Sequence, residues 1–120
     1  MKAVSEPESG VCPQFHKAIE LIGRRWSGAI IFVLMRSRAR FAEIRAAVPG
    51  MTDRMLSERL QELEQEGIVE RTVIPDTPVR VEYALTKKGR ALVPVVDSIV
   101  EWAHEFAAPV PAARVRKRRG

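Results

Sequence analysis

Two hydrophobic periods divide the chain. Up to Gly67 the apolar residues recur at helical spacing, and from Ile68 to Leu85 they follow a β-type pattern. Helical spacing then returns. Phe15, Ala18, Ile19 and Ile22 make one face of a short helix that Cys12-Pro13 opens and Gly23 ends. Residues 26–35, WSGAIIFVLM, are nearly all apolar and have the length of one fully buried helix. Their β-branched run would also suit a strand, but arginines bracket a unit of helical length. Phe41, Ile44 and Val48 mark a helix that Pro49-Gly50 closes with a turn.

The next stretch, TDRMLSERLQELEQEG over residues 52–67, has both ends written in it. Thr52 is a capping residue, Asp53 suits the positive end of the helix dipole, and Gly67 is a natural stop. Leu56, Leu60 and Leu63 form a buried stripe, while Arg54, Glu58, Gln61 and Gln65 lie opposite with Ser57 on the flank. Taken alone this is an amphipathic helix with a solvated face. Two short helices joined by a tight turn, however, outline a helix-turn-helix.

IVERTVI and VRVEYAL predict two strands around the turn Pro75-Asp76-Thr77-Pro78. Val79, Val81, Tyr83 and Leu85 should point inward and Arg80, Glu82 and Ala84 outward. A hairpin directly after the second helix of the motif is in the position of a wing. Thr86 then caps one last helix reaching Phe106, with Pro94 inside it expected to bend it or leave a carbonyl unpaired. Its apolar residues, Leu92, Val95, Val96, Ile99, Val100, Trp102, Ala103 and Phe106, are too many for one small core. A symmetric dimer would cover the excess. The fold class is mainly α with a small β-hairpin, an α+β winged helix-turn-helix. Residues 1–11 read as a mobile arm, 12–107 as the single domain and 108–120 as a disordered basic tail.

Composition narrows the function classes. The chain has 120 residues, 46% hydrophobic and 29% charged, which suits one soluble domain. With no apolar run of membrane-spanning length and no secretory signal, it is expected in the cytoplasm, away from membranes. The net charge of +5 resides in the tail, in Arg114, Arg116, Lys117, Arg118 and Arg119, so the domain is formally neutral. Distribution is therefore more informative than pI. Six arginines between Arg24 and Arg45 face a single acid, Glu43, whereas acidic residues dominate from Glu58 to Glu70. No glycine-rich phosphate loop, metal spacing or catalytic set can be assembled, so no enzyme, metal or cofactor is expected.

The blocks CPQFHKAIELIGRRW, RFAEIRAAVPGMTDRMLSERLQELEQEGIVER, PVRVEYALTKKGRAL and VVDSIVEWA, in this order, resemble the HxlR-type winged-helix regulators, relatives of the MarR group. The resemblance runs from Cys12 to about Phe106 and leaves out the arginine-rich tail. It implies a homodimer, built from the first and last helices, that binds double-stranded DNA and controls transcription. Phe15, Ile19, Val96, Ile99, Trp102 and Phe106 are the interface residues this suggests.

In that frame Arg54 is the first candidate for reading a base, since its fork matches guanine. Ser57 and Gln61 would bond to bases or phosphates, Thr52 and the first-turn N–H groups to a phosphate, and Glu58 would either accept from a cytosine or repel misplaced phosphates. Arg59 projects toward the core edge and reads as structural. Arg40 and Arg38 precede the motif, where phosphate contacts are usual, and Arg36 and Arg45 are weaker candidates. The wing offers Arg80 and, on the facing strand, Arg71; Arg80 should meet the backbone or a minor groove, while Arg71 either serves the wing with it or pairs with Glu82 across the hairpin.

Cys12 has two readings. It is either a small residue near the dimer interface or a redox-sensing thiol at a helix N-terminus, with Lys17, Arg24 and Arg25 near it. Some relatives it resembles sense oxidants or electrophiles through a cysteine here. Phe15, Trp26, Trp102 and Phe106 are either plain core or the lining of a small-molecule effector pocket between the dimer helices. The functional expectation is a homodimeric regulator on an inverted-repeat operator, a repressor responsive to redox or a small molecule. The alternative is a winged-helix module that binds another protein and no operator.

Overall fold

The computed structural model describes residues 10–109. Most of the arm and of the basic tail expected at the chain ends lies outside the described residues. The order is α1 (Pro13–Gly23), α2 (Ser27–Leu34), β1 (Ala39–Arg40), α3 (Phe41–Ala47), α4 (Asp53–Gln65), β2 (Val69–Ile74), β3 (Arg80–Leu85), α5 (Lys87–Arg90) and α6 (Val93–Phe106). The sheet runs β1-β3-β2, antiparallel throughout, so the hairpin carries a third strand on its inner edge. That strand is two residues long, too short for any periodicity to show. It forms because Ala39 is paired with Tyr83 and Arg40 with Glu82.

The core gathers Ile30, Ile31 and Leu34 of α2, Ile44 of α3, the α4 stripe, and Val69, Tyr83 and Leu85 of the sheet. Leu56 and Leu63 are fully buried and Leu60 is 1% exposed, as the spacing predicts. The end of α4 is a Schellman turn. Gly67 takes φ +76°, the Ile68 N–H donates to Leu63 O at 2.9 Å, and the Gly67 N–H donates to Glu64 O at 2.9 Å. Only three residues, Glu66, Gly67 and Ile68, separate α4 from β2, so the helix and the wing are fixed against each other.

Four expectations change. The apolar run at 26–35 is a helix, but Phe32 is 41% exposed, because one side of α2 faces a cleft between α1 and α6. Trp26 stands outside that helix as its N-cap, at φ +77°. The last helix is two: α5 stops at Arg90, and Pro94 sits in the first turn of α6, where its missing N–H costs no helical bond. The inward alternation holds for Val81, Tyr83 and Leu85 but not for Val79. Val79 is 61% exposed, because the hairpin projects beyond the body that could cover it.

Candidate nucleic-acid interface

Helix α4 is anchored at its N-terminal end. The Thr52 hydroxyl accepts the Met55 N–H at 3.1 Å, satisfying one orphan donor of the first turn. Asp53 accepts from the Arg45 Nε, which ties α3 to the start of α4. Arg45 is therefore structural as well as basic. Arg54, with its side chain 87% exposed, points away from the body and donates from Nε to Glu58 Oε2 at 3.2 Å. Ser57 and Gln61 are exposed on the flank. They border a cleft of about 410 Å³ shared with Leu60, Glu64, Arg71 and Tyr83. Arg59 is 13% exposed and lies 2.9 Å from Glu62, as expected of a structural arginine.

The arginines around the motif are not equally free. Arg40 is exposed at the N-cap of α3, with its backbone N–H donating to Glu43 Oε1 at 2.8 Å. Arg38 donates to Glu82 Oε1 at 3.2 Å across the sheet. Arg80 lies 3.2 Å from Asp76 and 4.0 Å from Glu82, so acids on its own hairpin hold the expected wing arginine. The expected Arg71–Glu82 pair does not form. The register sets Arg71 opposite Tyr83 and Thr72 opposite Glu82, which puts Arg71 and Glu82 on opposite faces. No hydrogen bond or ion pair reaches the Arg71 side chain among the described residues.

Away from α4, the expected interface residues divide. Phe15 is 60% exposed, Ile19 50%, Ile99 51%, Trp102 60% and Phe106 64%, and α1 has no buried residue at all. Val96 is the exception. At 7% exposed it belongs to the core of the protomer, because the inner stripe of α6 packs on α2. An apolar cleft of about 430 Å³ runs between α1, α2 and α6, lined by Ile19, Ile22, Gly23, Gly28, Phe32, Val96, Ile99 and Val100. None of the four aromatics expected around a pocket lines it. Trp26 instead sits beside Gly50 of the turn before α4, with the Arg25 guanidinium 4.8 Å from its ring.

Cys12 is the half-buried N-cap of α1. Arg24 and Arg25 follow the far end of that helix, roughly 16 Å away along its axis. Arg24 is engaged with Glu62 at 3.3 Å. The expectation that these two arginines flank the thiol within one protomer is therefore corrected. Among the described residues no three His, Cys, Asp or Glu side chains gather as a metal site. No helix there is long and apolar enough to cross a membrane.

Residues 21–111 match the family described as HxlR-like helix-turn-helix. The Bacillus subtilis HTH-type transcriptional regulator YvaP is 51% identical over 102 residues, which cover 85% of this chain and 94% of YvaP. The solved reduced form of the transcriptional regulator YodB, also from B. subtilis, superposes with a TM-score of 0.75 at 48% identity. That match covers 84% of this chain and 99% of YodB. The redox regulator HypR in its oxidised form superposes with a TM-score of 0.76 at 37% identity, over 81% of this chain and 99% of HypR. With the winged helix-turn-helix architecture and these relatives together, the chain belongs to the HxlR-like helix-turn-helix family of transcriptional regulators, which are not enzymes.

Proposed function

We propose that the protein binds an inverted-repeat operator as a homodimer and that oxidants or electrophiles control it through Cys12. The observation that carries the reading is the division of α4. Its leucine stripe is locked in the core while Arg54, Ser57, Glu58 and Gln61 stand exposed on its first turns. Such a helix presents N-terminal side chains to base edges in the major groove. Thr52 and Arg40 are the phosphate contacts of this reading, and Arg80 joins them once it leaves Asp76.

Dimerisation through α1 and α6 is supported by α1 having no fully buried residue in the protomer and by the exposed Phe15, Ile19, Ile99, Trp102 and Phe106. The redox reading draws on the solved diamide-treated and quinone-bound forms of YodB and on HypR. Two Cys12 thiols from two protomers would yield one disulfide, passing two electrons and two protons to a diamide or quinone oxidant.

A footprint of the full chain on the DNA upstream of its own gene tests the reading. Protection of two half-sites at least one helical turn apart is expected. Absence of salt-sensitive retention on any duplex overturns it in favour of a protein-binding winged helix, for which the acidic end of α4, Glu62 to Glu66, would be the surface.

A further inference from the structure

We propose that Arg71 is a DNA-backbone contact, holding the phosphate that passes through the corner between α4 and the wing. The inference rests on α4 occupying the major groove, and it assigns a role to an arginine otherwise expected to pair within the hairpin. Three observations carry it. Arg71 shares a sheet face with the buried Val69 and Tyr83, which turns its side chain toward α4 rather than toward the outer face of the hairpin. It borders the same cleft of about 410 Å³ as Ser57 and Gln61, so one guanidinium, one hydroxyl and one amide line a space large enough for a phosphate, which Glu64 also borders. Its side chain is exposed and, among the described residues, engaged by no ion pair or hydrogen bond, whereas Arg38, Arg54 and Arg80 each have an acid to release first.

The geometry of the duplex supplies the occupant. With the start of α4 in a major groove and the hairpin reaching toward the neighbouring minor groove, the sugar-phosphate strand that separates the grooves must cross the angle between helix and wing. The Schellman turn at Gly67 and the three-residue link to β2 fix that angle before DNA arrives. A planar fork held there meets phosphate oxygens in pairs. Such a contact positions the helix and carries no sequence information.

Fluorescence anisotropy of the full chain over a salt series, on its upstream duplex and on a random duplex, tests this. Arg71→Gln should lower the slope of log affinity against log salt by about 0.9 per protomer. It should weaken both duplexes by the same factor, and Arg71→Lys should restore the slope. An unchanged slope for Arg71→Gln, with wild-type binding intact, overturns the Arg71 assignment alone. Loss confined to the preferred duplex also overturns it, since that would mark a base contact. A wild-type chain that binds neither duplex overturns the DNA reading of α4, and this proposal with it.

Discussion

Arg54 and Glu58, both exposed at the start of α4, are bound to each other at 3.2 Å one turn apart. The residue best suited to a guanine is thus held by the residue best suited to repel its phosphates. An exposed pair at this spacing stabilises a helix by only about 0.3–0.5 kcal/mol, so it opens easily. Its consequence lies in DNA binding: the pair makes a charged backbone less attractive unless Glu58 also finds a partner.

Glu58→Gln is accordingly expected to strengthen binding to random duplexes and to steepen the salt dependence by about 0.9 per protomer, while narrowing the margin for the preferred site. Arg54→Ala should cost about 1–3 kcal/mol on the preferred duplex and less on random DNA. Anisotropy on the two duplexes measures both. Weaker binding of Glu58→Gln everywhere would show that Glu58 supports the helix rather than screens it.

The junction after the wing is the place where one methyl group should matter most to stability. Gly89 is buried in α5, and a Cβ there would press into the carbonyl oxygen of Ile68 and against Leu85. Thr86, the N-cap of α5, donates to the Gly67 carbonyl and accepts the Gly89 N–H at 3.0 Å, so the backbone has little room to retreat. Gly89→Ala should cost about 2–3 kcal/mol, in the range of other overpacked cores. Thermal melts at one fixed protein concentration check this, and an unchanged Tm would mean that the α5 junction yields.

Trp102→Glu tests the outer face of α6. Trp102 is 60% exposed, with its ring centroid 5.8 Å from that of Phe106, so the protomer loses little by the change. Sedimentation equilibrium should show a dimer for the wild type and a monomer for the variant, with a matching loss of operator affinity. A variant that remains dimeric would move the interface elsewhere.

Cys12→Ser should bind the operator as the wild type does and should no longer be released by diamide. A serine variant released like the wild type would exclude the thiol from the response. Arg24 and Arg25 lie at the other end of α1, so neither neighbours this thiol within one protomer.

How much of this was legible in the sequence depends on how local each feature is. Helix α4 was legible end to end. Its cap, its leucine spacing and its terminal glycine act within one or two turns, and the structure places Thr52, Leu56, Leu60, Leu63 and Gly67 in those roles. The break before α6 was also written there. Proline favours a first helical turn, so Pro94 marks a new helix rather than the interior of the one that Thr86 caps. β1 and the core position of Val96 had no local signature. Each exists because a distant segment lies against it, β3 for Ala39 and α2 for Val96.

The sequence by itself determined the helix-turn-helix with the hairpin after it, the leucine face of α4 and the family, because these rest on periodicity and on short-range capping. Tertiary structure alone decided which charges remain available. Strand register puts Arg71 on the face turned toward α4 and Glu82 on the other. Arg38 therefore takes Glu82, Arg80 takes Asp76, and Arg71 is left facing the cleft beside Ser57 and Gln61. Side chains alternate along a strand, so a shift of one residue in pairing would have reversed that assignment.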